Sequence, residues 1–292
     1  MSAPLLVELF TEELPPKALQ RLGEDFRNRI MNGLIRAQLK ARDPRGVSLF
    51  ATPRRLAIFV PEVLEKSADR VEARELMPSR IAYGTDGLPT VALTKRLEKE
   101  GASLSQIERR PNGKVEFVFL NQLLPGVKLA PLLQELLVDT IAKLPIPKVM
   151  SYQLPNSTET VKFVRPAHGL VALHGGDVVA VSALGLNAGR VTHGHRFLGA
   201  RDIELQHAND YESRLLEEGK VIASFDQRRA NIEAQLKAES AKLNCTLGEY
   251  EVLLDEVTAL VEWPAVYVAG FDAAFLAVPQ ECLILTMRTN QK

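Results

Sequence analysis

The stretch LLVELFTEELPPKAL, Leu5–Leu19, marks the start of the fold. Its apolar run Leu5–Phe10 predicts a short strand, because a brief apolar run bounded by turn signals is typical of a buried strand. The prolines that follow lead into a predicted helix over Pro16–Ala41. Within that helix, apolar residues recur at helical spacing, at Leu19, Leu22, Phe26, Ile30, Leu34 and Leu39.

The segments after this helix predict further strands and helices. Two strands flanking the turn ATPRR complete a β-α-β start, and the charged residues 62–75 predict either a helix or an exposed connection. Asn112-Gly113 predicts a hairpin, since Asn-Gly suits a tight turn that needs positive φ. The elements predicted here are strands Val47–Phe50, Leu56–Val60, Ile107–Arg110 and Val115–Leu120, a short helix through Leu93 and Leu97, and a helix over Leu129–Leu144.

The second half of the chain also combines predicted strands and helices. The predicted strands are Phe163–Val164, Leu170–His174, Val178–Leu184, Ile203–Gln206 and Val266–Ala269, and the predicted helices are Asp210–Glu217, Phe225–Leu243, Glu249–Val261 and Pro279–Met287. Elements of these lengths predict a mixed α+β or α/β fold, with two or more layered domains and mixed sheets. We expect an N-terminal α/β region over 1–144, divisible near residues 62–75, and a second α/β domain over 145–292.

The composition is that of an ordinary globular protein. The 292 residues include 46% hydrophobic and 25% charged residues, and the 36 basic and 36 acidic side chains give no net charge. Residues 36–55 nevertheless hold six basic side chains and one acidic side chain, and a local basic face can bind phosphate. Cys245 and Cys282 are too far apart in sequence to indicate a disulfide framework or a thiolate zinc site.

The N-terminus has no basic region before its apolar run, which Glu8 interrupts, so it does not read as a signal peptide. No apolar run approaches the ~20 residues that span a bilayer. We therefore expect a cytoplasmic protein with no membrane partner.

The segment GRVTHGHRFLG, Gly189–Gly199, brings two arginines and two histidines together within seven residues, which makes it a candidate site. His193 and His195 would share one face of an extended segment, which is compatible with a metal site, although no spacing selects the further ligands that zinc needs. General-base chemistry by His195 lacks an identifiable nucleophile. Anion binding by Arg190 and Arg196, whose planar guanidinium groups suit phosphate, and a purely structural turn around Gly194 both stay open.

Two other segments combine basic residues with proline. The turn TPRR, Thr52–Arg55, presents adjacent guanidinium groups for which phosphate contact and simple solvation are alternatives, and KFVRPAHGL, Lys162–Leu170, carries Arg165 and His168 at a strand entry. The Trp in VEWPAV, Glu262–Val266, is typical of a packing anchor. The sequence contains no Walker loop, G-x-G-x-x-G, G-x-S-x-G or H-E-x-x-H, so it offers no recognisable site for ATP chemistry.

Seven segments, spread in order along the chain, carry a family resemblance. They are LLVELFTEELPPKAL (Leu5–Leu19), TPRRLA (Thr52–Ala57), LPIPK (Leu144–Lys148), FVRPAHGLVALHG (Phe163–Gly175), GRVTHGHRF (Gly189–Phe197), VEWPAV (Glu262–Val266) and FLAVPQECLILTMRTNQK (Phe275–Lys292). Together they resemble the beta subunit of bacterial heterotetrameric glycyl-tRNA synthetase. Two segments depart from the family pattern: Ser151-Tyr152-Gln153 replaces an Arg-Trp-Gly-like element, and Met77-Pro78 lies where a Gly-Pro pair is usual.

The resemblance implies an α2β2 glycine–tRNA ligase whose alpha subunit binds glycine, ATP and Mg²⁺, while the beta subunit binds tRNA(Gly) and supports charging. It implies that this chain is an N-terminal piece, inactive alone, with no catalytic residue, metal or cofactor of its own. The family's HD-type and anticodon-binding domains would follow Lys292. The second half also resembles the editing-type domain of phenylalanyl-tRNA synthetase beta chains, a similarity that implies a fold and not an activity.

From the motifs and the resemblance together, we predict tRNA contacts at ten residues: Arg54, Arg55, Lys148, Arg165, His168, Arg190, His193, His195, Arg196 and Arg288. Two other hypotheses remain open. The chain could act as a scaffold that docks the alpha subunit or a second beta subunit with little RNA contact. It could also be an editing hydrolase that uses His193 or His195.

Overall fold

The computed structural model describes residues 1–43, 45–113, 115–154 and 158–290. The chain forms two compact units: unit 1 contains residues 1–65 and 129–292, and unit 2 contains residues 66–128. The division differs from the predicted boundary between residues 144 and 145. The physical reason is strand pairing, because a strand after residue 145 hydrogen-bonds directly to the first strand of the chain.

The strands are β1 (Ser2–Thr11), β2 (Ser48–Thr52), β3 (Arg55–Leu64), β4 (Arg70–Pro78), β5 (Ile107–Asn112), β6 (Val115–Leu124), β7 (Met150–Gln153), β8 (Thr160–Phe163), β9 (Ala167–His174), β10 (Asp177–Val178), β11 (Ser182–Ala183), β12 (Leu186–Asn187), β13 (Val191–His193) and β14 (Asp202–Glu204). The helices are α1 (Leu19–Arg36), α2 (Ser79–Ala82), α3 (Val91–Glu100), α4 (Leu129–Lys143), α5 (Tyr211–Glu217), α6 (Phe225–Lys242), α7 (Glu251–Thr258) and α8 (Gln280–Asn290). Among these helices of the described ranges, none has the length and apolar character needed to cross a bilayer.

Unit 1 is built on a five-stranded sheet with the order β10-β9-β1-β3-β2. The central strand β1 pairs with β3 on one side and β9 on the other, so that Val7 lies between Ile58 and Ala172. All pairings between the strands named above are antiparallel. The described strands therefore form an α+β fold, and the predicted mixed sheets are not observed among them.

Both faces of β1 are covered, which explains its nearly continuous apolar sequence. Because side chains alternate along a strand, Leu5, Val7 and Leu9 face a large core cluster that includes residues of α1 and α4. Leu6 belongs to a second cluster on the opposite face, which includes Tyr211 of α5. Glu8 shares this second face, and its side chain is completely buried.

Helix α1 confirms the predicted helix but is shorter than Pro16–Ala41. It is preceded by a 3-10 turn over Pro16–Ala18 and ends at Arg36. Gln38 adopts the left-handed conformation with φ of 59°, and the amides of Gln38 and Leu39 donate to the carbonyls of Ile35 and Leu34. These are the two hydrogen bonds of a Schellman motif, which stops the helix before the apolar spacing ends.

Unit 2 is a three-stranded antiparallel sheet with the order β4-β6-β5, covered by α2 and α3. The predicted Asn112-Gly113 hairpin is confirmed, and Gly113 has a φ of 68°. The prediction of a helix or exposed connection over 62–75 holds only for the mostly exposed connection at residues 65–69, since β3 runs to Leu64 and β4 begins at Arg70. Strand β4 lacks the apolar alternation of a half-buried strand because all of its side chains are exposed or half-buried.

Two predicted strands of the second half also differ from the structure. The predicted strand Val178–Leu184 is divided between β10 and β11, and residues 266–269 form no strand. The Val266–Ala269 segment resembles a strand because of its apolar residues, but Tyr267 and Val268 are exposed and no partner strand is paired with them in the described part of the chain.

Candidate functional site

The TPRR turn separates its two arginines into different environments. Thr52 and Arg55 pair across the β2–β3 hairpin, so Pro53 and Arg54 form a two-residue turn. Arg54 lies at the tip, where its guanidinium carbon stands 4.6 Å above the centre of the Phe10 ring. Arg55 is the first residue of β3 and its side chain is directed into unit 1.

Arg55 is completely buried, so the structure contradicts its predicted place on a phosphate-binding surface. Its Nη2 lies 3.2 Å from Oε1 of Glu262, and its Nη1 lies 3.6 Å from Oε2 of Glu8. The physical reason is that a buried charge requires a buried partner, and Glu8 and Glu262 supply two. We call Glu8, Arg55 and Glu262 the ion cluster.

Hydroxyl groups add hydrogen bonds to both carboxylates of the ion cluster, while Arg55 Nη1 has no hydrogen-bond partner among the described residues. Thr192 Oγ1 lies 2.7 and 2.9 Å from the two carboxylate oxygens of Glu8, and the Tyr211 hydroxyl also donates to Glu8. Thr52 Oγ1 donates to Glu262 Oε1 at 2.7 Å. Burial by itself lowers the pKa of Arg55, but the charges of Glu262 and Glu8 outweigh it and raise that pKa above its ordinary value.

A second buried guanidinium, that of Arg228, lies near Glu262. Its Nη2 donates to the Ala51 carbonyl at 2.7 Å and its Nε to the Thr258 carbonyl at 3.0 Å. Burial lowers the pKa of Arg228 to about 10. Arg228 thereby ties α6 to α7 and to strand β2, and its charge helps to balance that of Glu262.

An open cleft of about 550 Å³ lies directly above the ion cluster. The two are connected, because Arg55 Nη2 donates to the backbone carbonyl of His193 at 2.8 Å. The residues that line the cleft are Phe10, Glu12, Arg54, His168, His193, Gly194, His195, Arg196 and Arg201. The structure thus brings together five of the predicted site residues, namely Arg54, His168, His193, His195 and Arg196.

His168 reaches the cleft because of a β-bulge. Phe10 pairs with Gly169 and Thr11 pairs with Ala167, so His168 is the extra residue on β9. A bulge redirects a side chain and interrupts regular pairing. As a result His168 Nε2 lies 3.1 Å from Oε1 of Glu12.

The other two histidines of the cleft have different hydrogen-bonding roles. His193 Nδ1 lies 2.9 Å from Asp202 Oδ1 and 3.1 Å from the Arg201 carbonyl, both acceptors, so Nδ1 carries a proton. His195 Nδ1 accepts from the amides of Phe197 and Leu198 at 3.3 and 3.2 Å. His195 therefore carries its proton on Nε2.

Backbone packing fixes the loop that carries these histidines. The His195 amide donates to the Gly219 carbonyl at 2.7 Å. A Cβ on Gly194 would lie 2.3 Å from the Ala200 oxygen, and one on Gly199 would lie 2.0 Å from the Gly219 oxygen. Only glycine permits this approach of two backbone segments. Gly194 and Gly199 therefore have a structural role, while the histidines and Arg196 of the same segment face the cleft.

Glu12 is the acidic side chain among the described residues lining the cleft. It accepts a 3.0 Å hydrogen bond from Arg196 Nη2 in addition to the contact with His168. Partial burial raises the pKa of Glu12, but the hydrogen bond and charge of Arg196 outweigh this effect, so the pKa is lowered overall. Burial, followed by the charge of Arg196, lowers the pKa of Arg54.

Besides the buried Arg55, four predicted site residues lie outside the lining of the cleft. Arg190 is half-buried and donates to the carbonyls of Gly176 and Leu205, and Arg165 donates to the Glu13 and Val164 carbonyls. Lys148 is exposed, and Arg288 is exposed on α8. The structure therefore does not place these four side chains with the other predicted residues in the cleft.

Sequence reasoning also missed important residues. Glu8 appeared only as an interruption of an apolar run, although a carboxylate within a buried strand indicates a buried cationic partner. Glu12 and Arg201 were not among the predicted site residues, and Arg201 lies just outside the segment Gly189–Gly199. Tyr211 and Glu262 carry no local signal, since only tertiary packing brings them to Glu8 and Arg55.

The cleft is suited to holding an anion. Three guanidinium groups and three imidazoles surround one carboxylate, and arginine presents a planar fork that matches phosphate. The described lining includes no Ser, Thr, Cys or Lys side chain to serve as a covalent nucleophile. In the described ranges, no three His, Cys, Asp or Glu side chains are grouped so as to hold a metal ion.

Known proteins that this chain resembles belong to one family. Residues 5–292 match the family model described as glycyl-tRNA synthetase beta subunit. Proteins named glycine–tRNA ligase beta subunit are 53% identical over 301 residues in Leptothrix cholodnii, 49% over 294 residues in Janthinobacterium sp. and 51% over 295 residues in Thiobacillus denitrificans. These alignments cover 100%, 99% and 100% of this chain.

The chain spans 42% of the length of each of these three relatives. The match nevertheless extends over both units and includes every residue of the ion cluster and the cleft. The chain therefore belongs to the glycyl-tRNA synthetase beta subunit family.

Proposed function

We propose that this chain is a non-catalytic, tRNA-binding part of a glycine–tRNA ligase, and that the cleft contacts the phosphate backbone of tRNA(Gly). The observation that carries the proposal is the concentration of Arg54, Arg196 and Arg201 with three histidines in one cleft, next to the buried ion cluster. RNA helices are bound chiefly through shape, phosphate and 2′-hydroxyl contacts, for which these donors are suited.

In this proposed role, the chain binds tRNA while another polypeptide performs the chemical reaction. Glycine, ATP and Mg²⁺ would bind the alpha subunit of a cytoplasmic α2β2 assembly, and the cleft would hold tRNA for that subunit. The support is the family membership of the chain, together with a cleft whose described lining offers cations and no covalent nucleophile. The likeness to phenylalanyl-tRNA synthetase editing domains stays a prediction.

Binding of tRNA(Gly) should be salt-sensitive and should depend on the cleft. We expect replacement of both Arg54 and Arg196 with alanine to weaken binding roughly tenfold and to reduce the salt slope by roughly two, because each lost phosphate contact releases about one counterion fewer. Fluorescence anisotropy with a tRNA(Gly) transcript across a salt series measures both quantities.

The matched control for this measurement is replacement of both Arg21 and Arg27 with alanine. These residues lie on α1, which packs against the opposite face of the sheet, and their loss changes the net charge equally. Unchanged affinity in this control would assign the loss to the cleft. Absence of tRNA binding by the unaltered chain even at low salt would refute the proposal.

A second role, docking of the alpha subunit, is favoured by an exposed apolar segment over residues 267–287. Tyr267 is 88% exposed, Leu276 67% and Leu285 63%. Large exposed apolar patches mark interaction surfaces. We expect replacement of both Tyr267 and Leu276 with serine to weaken alpha-subunit binding roughly tenfold, since a few apolar anchors carry most of an interface's affinity.

Titration calorimetry with purified alpha subunit measures this effect. Val252→Ser is the control, because Val252 is 85% exposed but lies on α7, outside the segment. Equal affinities for the unaltered chain, the double variant and the control would reject docking through this surface.

A further inference from the structure

Glu12 occupies the position in the cleft where an incoming anion would find its donors. Its Oε2 accepts from Arg196 Nη2 at 3.0 Å, and its Oε1 lies 3.1 Å from His168 Nε2. Both carboxylate oxygens are therefore engaged by cleft side chains. The backbone of Glu12 is fixed separately, because its amide donates to the Pro166 carbonyl at 2.9 Å.

The contacts that hold the Glu12 side chain are weak and accessible. The side chains of Glu12, Arg196 and His168 are 40%, 45% and 46% exposed. Ion pairs at this exposure are screened by water and contribute little. The carboxylate can therefore leave by side-chain rotation alone, without any change in the strand or the bulge.

The donors released by such a rotation are suited to a phosphate group. A guanidinium and an imidazole N–H bind a phosphate oxygen through the same hydrogen bonds that they make to a carboxylate. Arg54 adds to this potential, since its Nε is buried without a hydrogen-bond partner in the described part of the chain. Arg54 also lies close enough to Glu12 and Arg196 for its pKa to respond to both.

We propose that the Glu12 carboxylate is an internal counter-ion in a phosphate-binding subsite, and that a phosphate of bound RNA displaces it from Arg196 and His168. This inference rests on the proposed function and specifies its chemistry. In the absence of RNA, the carboxylate keeps the cationic side chains oriented. It also lowers the affinity of the cleft for isolated anions, because each must first compete with Glu12.

Glu12→Gln tests the displacement directly. We expect this variant to bind a tRNA(Gly) transcript roughly three- to tenfold more tightly, because the bound state no longer has to break the Arg196 and His168 contacts to a carboxylate. Glu13→Gln is the matched control. Glu13 is the adjacent exposed residue, so the variant removes the same charge from the same loop, and its affinity should change by less than about twofold.

A second arm separates RNA phosphate from free phosphate. Inorganic phosphate is titrated into the unaltered chain and into Glu12→Gln, and the imidazole NMR signals of His168 are followed, with His207 as a reference outside the cleft. We expect the His168 signals of Glu12→Gln to respond at several-fold lower phosphate concentration. If only tRNA and not inorganic phosphate shows the gain, the subsite requires the polyanion.

The outcomes distinguish this inference from the proposed function. If the unaltered chain binds tRNA but Glu12→Gln binds equally or more weakly, the displacement is refuted while the RNA-binding role stands. If Glu12→Gln and Glu13→Gln gain affinity equally, the effect is general charge and the displacement is again refuted. If neither the unaltered chain nor Glu12→Gln binds tRNA, both proposals fall.

Discussion

Replacement of Arg55 with methionine is expected to lower the free energy of unfolding by about 3–5 kcal/mol, because removal of one partner leaves buried charges uncompensated. Glu8 and Glu262 would then be two carboxylates, 1% and 5% exposed, without the guanidinium that lies between them. Methionine retains much of the apolar stem of arginine, so the loss reports mainly on charge and hydrogen bonding. Urea denaturation followed by circular dichroism measures it.

The adjacent Arg54→Met is the control for this prediction. It removes the same charge from the same turn, but the Arg54 guanidinium lies over the Phe10 ring and has no carboxylate ion pair within the described residues. We expect a loss below about 1 kcal/mol, the scale of a cation–π contact. Equal unfolding midpoints for Arg55→Met and Arg54→Met would show that the ion cluster does not stabilise unit 1.

A double substitution tests whether the members of the ion cluster act together. Arg55→Met combined with Glu262→Gln removes one positive and one negative charge. We expect the combined loss to be smaller than the sum of the single losses by about 0.5–3 kcal/mol, as for residues in one network. Strict additivity would indicate that the two side chains stabilise the fold independently.

Replacement of Gly194 with alanine is expected to destabilise unit 1 by about 2–3 kcal/mol, the scale of forced overpacking. The new methyl group would lie 2.3 Å from the Ala200 oxygen and 2.7 Å from the Gly219 Cα. Both are backbone atoms, so no side-chain rotation relieves the overlap, and the loop must move. Thermal and urea unfolding measure the loss of stability.

The same substitution should also weaken tRNA binding, because the loop carries His193, His195 and Arg196. Gly189→Ala is the matched control in the same sequence segment. No atom lies within 4 Å of a Cβ at Gly189, and its φ is outside the left-handed region. We expect that control to change stability by no more than about 1 kcal/mol, and equal stability of the two variants would contradict the packing argument.

Local sequence patterns predicted the elements whose cause is local. The apolar spacing from Leu19 onward predicted α1, and Asn112-Gly113 predicted the hairpin; the structure confirms both elements. The end of α1 at Arg36 was missed because a left-handed Gln38 is not a usual helix stop. Strand β4 was missed because its charged residues gave no alternation, and its pairing with β6 is a tertiary interaction.

The candidate site was predicted only in part, for a related reason. Arg54, His168 and the residues from His193 to Arg196 were selected by residue type, and the structure places them around one cleft. Residue type could not distinguish Arg54 from Arg55, although they are adjacent. That distinction depends on the register of β2 and β3, which directs one arginine to the surface and the other into the protein.

The amino-acid sequence was sufficient to identify the family of this protein, its main helices and strands, and the chemical types available for binding an anion. Which of those groups meet depends on how the distant segments fold together. Glu8, Arg55, Thr192 and Glu262 come from four distant segments, each of which carries part of the family resemblance. They converge because burying a charge is unfavourable unless its partner is buried beside it, a condition that acts between segments, so no one segment identifies the partner of its own charge.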